Sequence, residues 1–529
     1  MWIEKSAPEL GESECRSQNN PEPEGTFLVH DSTRWSQRLT VTANGKGVVA
    51  HAGAAALRLT ADRSGLTAAL SATLYREDFT PGHDRGRVLA DAAVMMADGG
   101  STLRAIDVLR HQPDLLGEVA SPATLSRALT EIDAGCLDRI DTARAAVRER
   151  VWTLIAARHG RIPPALVPAG DLGEQIVLRV DAHFIDTVSR KERAGRLRGR
   201  YGHHPMAVIC DNTGECLADQ LRGGTAAANN AHDHIDLLTR AIAQIPPRWR
   251  RNLLITADGA GATHKFLAWI TNLNRPAAGD DPGMRVEYTV GWPVDKHTGK
   301  AIAQLPPQAW TAMLAADGLP GTPATLDTES GPDTVGQVAE ITHLLTHLAG
   351  WPEGLRVFVR RVKPLRDTTP KPLTGVDQLE LDLQTAAAGW RYEAFATNHD
   401  IPPTDEETPQ QVTAWLDGRH RVHARVEDHF KHGNTTGAKR LPSKKFAVNA
   451  AWYRTQAIAT DLTAWLQLLA CSGHLTRAEP KTLQYQVFHT PATLTRGGRQ
   501  RHLNFPPDWP WTTHIQAIFA RLFALPIPT

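Results

Sequence analysis

The chain has 529 residues, which is too long for one hydrophobic core and indicates several domains. Its 58 lysine and arginine residues almost balance its 57 aspartate and glutamate residues, so no overall field points to nucleic acid and any such evidence must be local. The five cysteines form no C-x-x-C pair, and the sequence shows neither a membrane-spanning apolar run nor a signal peptide. We therefore expect a cytoplasmic protein with no membrane contact, no zinc ribbon and no disulfide framework.

The first 160 residues divide into a polar arm and a helical region. Residues 1–40 begin with many Pro, Glu, Asn and Ser residues, which predicts a loose arm. Residues 41–160 have apolar residues at helical spacing, and Ser121-Pro122 is typical of a helix cap and first helical position. The helix that follows, with Arg127 facing outward, is compatible with a helix-turn-helix-like DNA-binding region. An ordinary small helical bundle is the alternative.

Two short apolar segments each end in an aspartate. Residues 175–184 are rich in β-branched and apolar residues, which favours a buried strand, and Asp181 lies near its end. Residues 253–261 repeat the pattern, with Asp258 followed by glycines. A carboxylate in such a strand is costly to bury unless a cation, an N–H group or a metal ion pairs with it. Oxygen ligands from two carboxylates suit Mg²⁺ or Mn²⁺, so the pair predicts a metal site.

A basic segment follows the first of these strands. Residues 189–200 hold six basic residues and one acidic residue, which is compatible with a solvated loop. Because the segment comes directly after the predicted metal strand, contact with DNA phosphates explains it at least as well. The residues assigned to this contact are Arg190, Lys191, Arg193, Arg198 and Arg200. Asp211 lies in an Asp-Asn-Thr-Gly turn between two predicted strands, so turn chemistry explains it better than catalysis.

The order of the predicted elements indicates an α/β multidomain protein. Residues 171–275 show a β-β-β-α-β-α order, which is the ribonuclease-H-like arrangement with its first and fourth strands side by side. Residues 390–475 form the second part of this core, and residues 476–529 form a C-terminal basic region.

A mixed, β-rich insertion is predicted between the two parts of the core, over residues 276–389. It contains strands at 286–290 and 356–360 and a helix at 334–348. Trp292 of the insertion is expected either in the protein core or stacked on a displaced base.

A third carboxylate lies on a predicted helix over residues 419–432. The helix has an apolar face with spacing i, i+4 and i+8, formed by Val422, Val426 and Phe430. The same spacing defines a polar face, formed by His423, Glu427 and Lys431. Glu427, flanked by cations, suits a metal ligand beside bound phosphates; an exposed, salt-bridged face is the alternative. Asp428, about 100° round the helix, is the second choice for the third acid. The basic residues assigned to phosphate contact are Arg421, Arg425 and Lys431.

Nine short stretches, spread over residues 40–515, carry a resemblance to a known family. They are HDRGRVL (83–89), ADGG (97–100), SPATL (121–125), VDA (180–182), YGHHP (201–205), TADGAG (256–261), YEAFATN (392–398), RVED (425–428) and DLTAW (461–465). On these stretches the chain resembles the DDE transposases of bacterial insertion sequences, specifically the insertion-sequence-1380 group, whose catalytic domain is ribonuclease-H-like.

The resemblance implies that the protein moves its own insertion sequence by cut-and-paste transposition. Asp181, Asp258 and Glu427 are then the catalytic triad and the ligands of two Mg²⁺ ions, for which Mn²⁺ can substitute. Such ions activate a water or a 3′-hydroxyl and stabilise the leaving oxygen. The implied partner is double-stranded DNA of the terminal inverted repeats and the target, bound by a homodimer on paired ends in the bacterial nucleoid. One departure is Asn434, which stands where related transposases often have a lysine.

Three functions are compatible with these features. The first is an active transposase, and the second is a ribonuclease-H-like nuclease that cuts without joining. The third is a transposase-derived regulator that binds a specific DNA sequence without catalysis. An altered triad would favour the regulator, and the triad is complete in this sequence.

Overall fold

The computed structural model describes residues 39–168, 170–187, 190–197, 199–227, 230–277, 283–315, 317–320, 334–364, 390–400 and 407–528. Gly47–Thr529 form one compact unit. The other unit, Met1–Lys46, is described only from residue 39, so the predicted arm lies almost wholly outside the described residues.

Short strands and longer helices alternate along the compact unit. The strands are β1 (Val48–Val49), β2 (Leu166–Val167), β3 (Gly170–Asp171), β4 (Ile176–Ala182), β5 (Ile185–Asp186), β6 (Gly195–Leu197), β7 (Arg200–His203), β8 (Met206–Cys210), β9 (Cys216–Gln220), β10 (Asn252–Ala257), β11 (Arg285–Trp292), β12 (Thr311–Ala312), β13 (Thr334–Glu340), β14 (Arg356–Pro364), β15 (Arg391–Thr397), β16 (Ala492–Gly497) and β17 (Gln500–Asn504). The α-helices are α1 (Ala55–Ser64), α2 (Leu66–Leu74), α3 (Arg85–Ala97), α4 (Asp107–Arg110), α5 (Pro113–Leu116), α6 (Pro122–Thr130), α7 (Ala134–His159), α8 (Ala231–Gln244), α9 (His264–Asn272), α10 (Lys296–Ala303), α11 (Pro409–Arg421), α12 (Arg425–Thr435), α13 (Phe446–Ala470), α14 (Pro480–Leu483) and α15 (Thr512–Ala524).

Several helices begin where a side chain caps them. Ser121 accepts the Thr124 N–H and precedes Pro122 at the start of α6, which confirms the predicted cap. Thr408 and Gln411 form a reciprocal capping box at the start of α11. These caps satisfy N–H groups that have no partner inside a helix, so the local sequence determines where the helices start.

A nine-stranded mixed sheet forms the centre of the molecule. Its strands follow the order β12-β13-β14-β15-β11-β10-β4-β8-β9. Strands β4, β10 and β11 are parallel, whereas β8 runs antiparallel to both β4 and β9. Helix α8 connects β9 to β10, and α9 connects β10 to β11. The predicted adjacency of the first and fourth core strands is confirmed, because Val180 of β4 pairs with Ala257 of β10.

The predicted insertion, residues 276–389, contributes β11, β12, β13 and β14 to this same sheet. Strand β15, from the predicted second part of the core, pairs antiparallel with both β11 and β14, and β13 and β12 follow outward from β14. The helix predicted over residues 334–348 is wrong, because Thr334–Glu340 form β13, which is followed by a 3₁₀ turn. Trp292, at the end of β11, is buried with its ring 4.6 Å from that of Trp351, which agrees with a place in the core.

Helix α13 joins the helical N-terminal region to the sheet. It packs against α1, α3, α6, α7 and α15 on one side and against β9 on the other. Its Trp452 and Trp465 are fully buried. A chain segment of 25 residues near the C-terminus is therefore the central element of the hydrophobic core.

A buried ion cluster fastens α7 to α13 and β9. Arg144 and Arg148 of α7 both donate to Asp461 Oδ2, at 2.8 and 2.6 Å. Arg148 also donates to Glu215 at 2.7 Å, and Glu215 accepts the indole N–H groups of Trp152 and Trp465. All these charged groups are buried, so removing one partner would leave an uncompensated charge in the core.

The C-terminal region is a hairpin followed by a helix. Strands β16 and β17 pair antiparallel, and β1 adds to β16 through Val49 and Ala492. Helix α15, which was not predicted, follows the hairpin and packs against α1 and α13. None of the helices in the described ranges combines the length and apolar character needed to cross a bilayer.

Candidate active site

Asp181 and Asp258 lie side by side at the carboxyl ends of two parallel strands. Because Val180 pairs with Ala257, the two aspartates follow at the same level of the sheet. Asp181 is half-buried and accepts the Ala182 N–H at 2.6 Å, whereas Asp258 is exposed and accepts the Ala260 N–H at 3.0 Å. A Cβ atom on Gly291 of β11 would lie 2.6 Å from Gly259 N, so a glycine is needed for β11 to pass beside the Asp258 turn.

Glu427 lies in the first turn of α12, on the exposed side of that helix. The opposite side packs on the sheet, where Val426 and Phe430 cluster with Ala207, Ile209 and Cys216. Burial raises the pKa of Asp181 to about 7, and the negative charges of Asp258 and, more weakly, Glu427 add to the rise. Asp181 therefore lies close enough to both other carboxylates for their charges to act on it.

Asp181, Asp258 and Glu427 form no ion pair with any lysine, arginine or histidine among the described residues. Neighbouring acids differ, since Asp428 pairs with Lys431 at 2.8 Å and Asp211 pairs with Arg179 at 2.8 Å. Three adjacent carboxylates without cationic partners fit a hard divalent cation, which takes oxygen ligands. The set contains no nitrogen or sulfur donor, which favours Mg²⁺ or Mn²⁺ over softer metals.

A cleft of about 380 Å³ opens over Asp181 and Asp258. Its lining includes three histidines and one arginine, namely His183, His204, His234 and Arg200. Arg200 pairs with Asp186 at 2.5 Å, and its guanidinium lies 5.0 Å from the ring centre of Phe184. The cleft thus brings one residue of the predicted phosphate-contacting set next to the acids.

Two other residues of the basic segment, Lys191 and Arg193, contact the chain around the start of α13. Arg190 is exposed, Lys191 donates to the Ser443 carbonyl at 3.1 Å, and the Arg193 guanidinium lies 4.4 Å from the ring centre of Phe446. Arg198 lies outside the described residues. Their assignment to DNA contact stays a prediction.

The remaining predicted DNA-contacting residues already have protein partners. Arg421 pairs with Asp417 and donates to the Leu314 carbonyl, and Arg425 donates to the Leu166 carbonyl at 2.7 Å. Lys431 is exposed beside Asp428, and Arg127 is exposed on α6, where it donates to Thr124 at 2.9 Å. Arg421 and Arg425 hold elements of the fold together, whereas Lys431 and Arg127 face solvent.

The predicted polar face of the Glu427 helix is wrong at His423. Helix α11 ends at Arg421, and a 3₁₀ turn over Val422–Ala424 separates it from α12. This turn directs His423 toward the sheet, where its Nδ1 lies 2.8 Å from Thr256 Oγ1 of β10. Burial lowers the pKa of His423 to about 3, so the ring is neutral at physiological pH.

The sequence analysis missed a layer of polar side chains between the sheet and the α11–α12 segment, which we call the polar layer. Its contacts are Glu287 with His399 (2.9 Å) and Arg419 (2.5 Å), Thr289 with His420 (2.9 Å), Thr256 with His423, and Arg179 with Asp211. Asp211 lies in the predicted turn, and its carboxylate also serves this layer. Charged residues inside apolar strands, such as Arg179 and Glu287, were the available indication, because burying them requires partners.

Comparison with known proteins gives a family match and similar solved structures. No curated protein matches the chain. A solved structure described as "Cryo-EM structure of piggyBac transposase synaptic complex with hairpin DNA" is similar with a TM-score of 0.39 and 10% sequence identity, over 82% of this chain and 80% of that chain.

The family comparison covers most of the sequence. A family described as "Transposase DDE domain group 1" matches residues 32–527. This match confirms the predicted resemblance to DDE transposases, while the insertion-sequence-1380 group stays a prediction. DDE transposases cleave and transfer DNA strands and generally depend on divalent metal ions. The chain belongs to the transposase family with a DDE domain of group 1.

Proposed function

We propose that this transposase is active and moves its own insertion sequence by cut-and-paste transposition, as a member of the insertion-sequence-1380 group. The observation that carries the proposal is the set of three adjacent carboxylates, Asp181, Asp258 and Glu427, which have no ion-pair partner among the described residues. The negative charges of Asp258 and Glu427 both act on Asp181, whereas Asp428 is paired with Lys431. This difference supports Glu427 over Asp428 as the third acid.

The sheet supports a ribonuclease-H-like catalytic core. Strands β9-β8-β4-β10-β11 follow the order 3-2-1-4-5, in which β8 alone is reversed. The first and fourth strands carry Asp181 and Asp258, and a helix after the sheet carries Glu427.

Asp181, Asp258 and Glu427 would hold two Mg²⁺ ions, for which Mn²⁺ can substitute. Ions held there would supply activation of a water or a 3′-hydroxyl and stabilisation of the leaving oxygen. The protein itself supplies orientation, since the Ala182 and Ala260 N–H groups fix the carboxylates of the two aspartates. Val426 and Phe430 hold the helix of Glu427 against the sheet.

Double-stranded DNA of the terminal inverted repeats and the target is the proposed partner. Arg200 lies in the cleft beside the acids, where a scissile phosphate must be bound. The exposed Arg190 and Arg193 extend this basic surface. A homodimer on paired ends would present two such clefts to the two ends of the element.

The two other candidate functions use the acids differently. A nuclease that cuts without joining needs the same three carboxylates. A regulator without catalysis has no use for them, and unpaired acids at one point reduce the stability of the fold. Their presence therefore favours an enzyme over a regulator.

A matched pair of variants tests the third acid. A labelled duplex carrying the DNA that flanks this gene is incubated with Mg²⁺ and either the wild type, Glu427→Gln or Asp428→Asn. We expect the wild type and Asp428→Asn to cleave at the element ends, and Glu427→Gln to lose cleavage by at least about 10³-fold. Equal loss in both variants would contradict the assignment of Glu427.

The same duplex separates the three functions. Joining of the cleaved ends to a target duplex supports the transposase, and cleavage without joining supports the nuclease. Sequence-specific binding with no cleavage in either Mg²⁺ or Mn²⁺ would replace the proposal by the regulator.

A further inference from the structure

Outside the cleft, three side chains with metal-binding atoms meet at the junction of three chain segments. His51 precedes α1, Asp98 follows α3, and His489 follows the turn Gln484–Phe488. His51 Nδ1 lies 2.6 Å from Asp98 Oδ2, and His489 Nε2 lies 3.4 Å from Asp98 Oδ1. We propose that His51, Asp98 and His489 bind one divalent transition-metal ion of the Zn²⁺ class at a site separate from the catalytic acids.

The donor set matches such an ion in type. Two imidazoles and one carboxylate are common Zn²⁺ ligands, with a water in the fourth position. One ligand atom from each residue lies within 4.8 Å of the others. Ligand atoms of one tetrahedral Zn²⁺ ion lie about 3.3 Å apart, so these side chains must move by up to roughly 1.5 Å to share one ion. Mg²⁺ prefers an all-oxygen site and is a poor competitor here.

Asp98 supplies a second observation that points to a bound cation. The residue is only 6% exposed, and within the described ranges its Oδ1 has no hydrogen-bond partner. Burial raises the pKa of Asp98, against the hydrogen bond from His51. A buried carboxylate oxygen without a donor is costly, and coordination to a cation would satisfy it.

The two histidines leave a path for the ion. Their side chains are 29% and 39% exposed, and their rings stack with centroids 4.1 Å apart on the same side of Asp98. Water can therefore reach the fourth coordination position, and an ion can enter without unfolding of the core.

A metal at this point would fasten the beginning of the compact unit to its end. The Ala52 N–H already donates to the Thr490 carbonyl at 3.0 Å, and Val49 pairs with Ala492 nearby. The ion would add a bond between segments almost 400 residues apart. The inference does not depend on the proposed function, because none of the three ligands lines the cleft.

The competing explanation is two direct hydrogen bonds with no metal, one between His51 and the Asp98 carboxylate and one from His489 Nε2 to the Asp98 main-chain carbonyl at 2.9 Å. The metal-bound and metal-free explanations differ in the protonation of the two histidines, because Zn²⁺ binds only neutral imidazoles. Protons therefore compete with the metal for the two rings, and metal binding should weaken as the pH falls.

The test uses the full chain, stripped with EDTA, dialysed and titrated with Zn²⁺ in excess Mg²⁺. We expect one equivalent to bind by calorimetry, to raise Tm, and to be replaceable by Co²⁺ with a visible absorption band of low symmetry. His489→Ala, which changes a partly exposed side chain, should weaken binding by more than about 100-fold. His502→Ala, on the exposed β17 strand, is the matched control and should bind as the wild type does.

Two outcomes would overturn the proposal. The first is a wild type that takes up no Zn²⁺, or takes it up equally well after His489→Ala or His51→Ala. The second is loss of Zn²⁺ binding in Asp181→Asn, which would assign the ion to the catalytic acids. Retained Zn²⁺ binding in Asp181→Asn, together with its loss in the histidine variants, supports the separate site.

Discussion

Burial and like charge act on Asp181 in the same direction. Both oppose its negative form, and together they raise its pKa to about 7. A protein that holds an unpaired carboxylate in this way gives up stability at the position where a metal ion is to bind. The consequence can be measured without DNA or catalysis.

Asp181→Asn should make the metal-free protein more stable at pH 8. The amide removes a charge that the fold disfavours, so we expect the free energy of unfolding in EDTA to rise by roughly 1–3 kcal/mol. The penalty is present above pH 7 and fades as the pH falls toward 3.8, the ordinary pKa of the carboxyl in the unfolded chain, so at pH 5.5 the difference should be smaller than at pH 8 but not absent. Urea unfolding at both pH values measures this, and a variant less stable than the wild type at pH 8 would contradict it.

The same substitution should separate DNA binding from cleavage. We expect Asp181→Asn to lose Mg²⁺-dependent cleavage while its affinity for element ends, measured by mobility shift, stays within about threefold of the wild type. A parallel loss of binding would show that Asp181 does more than hold metal.

At the scale of elements, the polar layer determines where the α11–α12 segment sits. Burial alone would raise the pKa of Glu287. The hydrogen bond from His399 and the charge of Arg419 outweigh burial and lower this pKa to about 2. Because the pKa is lower in the folded protein than its ordinary value of 4.5, ionised Glu287 stabilises the fold above pH 4.5. This stabilisation is lost as the pH falls from 4.5 toward 2.

Glu287→Gln should therefore flatten the acid dependence of stability. At pH 7 we expect a loss of about 3 kcal/mol, because Arg419 remains buried without its counter-ion. Between pH 5 and 2 the free energy of unfolding should fall less steeply than in the wild type. Urea titrations at several pH values measure both effects, with the exposed Glu353→Gln as control. An unchanged slope would show that Glu287 is not the group responsible.

These elements also show what the sequence could predict. Asp181 and Asp258 were predictable neighbours because an acid at the end of an apolar strand is unusual and parallel core strands align their ends. The helix over 334–348 was predicted wrongly because apolar residues such as Val335, Val338 and Ile341 recur three apart and imitate a helical period. Antiparallel pairing with β14, the next strand along the chain, stabilises residues 334–340 as a strand instead. The 3₁₀ turn that directs His423 toward the sheet contains no Gly or Pro, so the local sequence gives no sign of it. The contact of His423 with Thr256 of β10 is visible only in the folded structure.

At the scale of the whole molecule, the helical N-terminal region depends on the C-terminal helices. Helix α13 fills the space between α1, α3 and α7, and α15 also packs on α1. The ion cluster of Arg144, Arg148 and Asp461 crosses the same boundary. Local sequence identified the region as helical, whereas its dependence on residues after 446 appears only in the tertiary packing.

A fragment of residues 41–160 should therefore fail to fold alone. Without α13 it exposes apolar faces and leaves Arg144 and Arg148 without carboxylates, so we expect helical circular dichroism but no cooperative thermal transition. The full chain is the control and should unfold cooperatively. A sharp transition in the fragment would establish the region as an independent domain.

The position of α13 late in the sequence has a consequence for synthesis on the ribosome. About 350 residues separate the end of α3 from the start of α13. At bacterial and eukaryotic translation rates this interval lasts roughly 20–70 s, during which the apolar surface that α13 covers in the folded protein has no partner. We expect the nascent chain to depend on chaperones for that time. A gene copy with a frameshift before codon 446 is then expected to yield a fragment for proteolysis and not a stable competitor of the full-length protein.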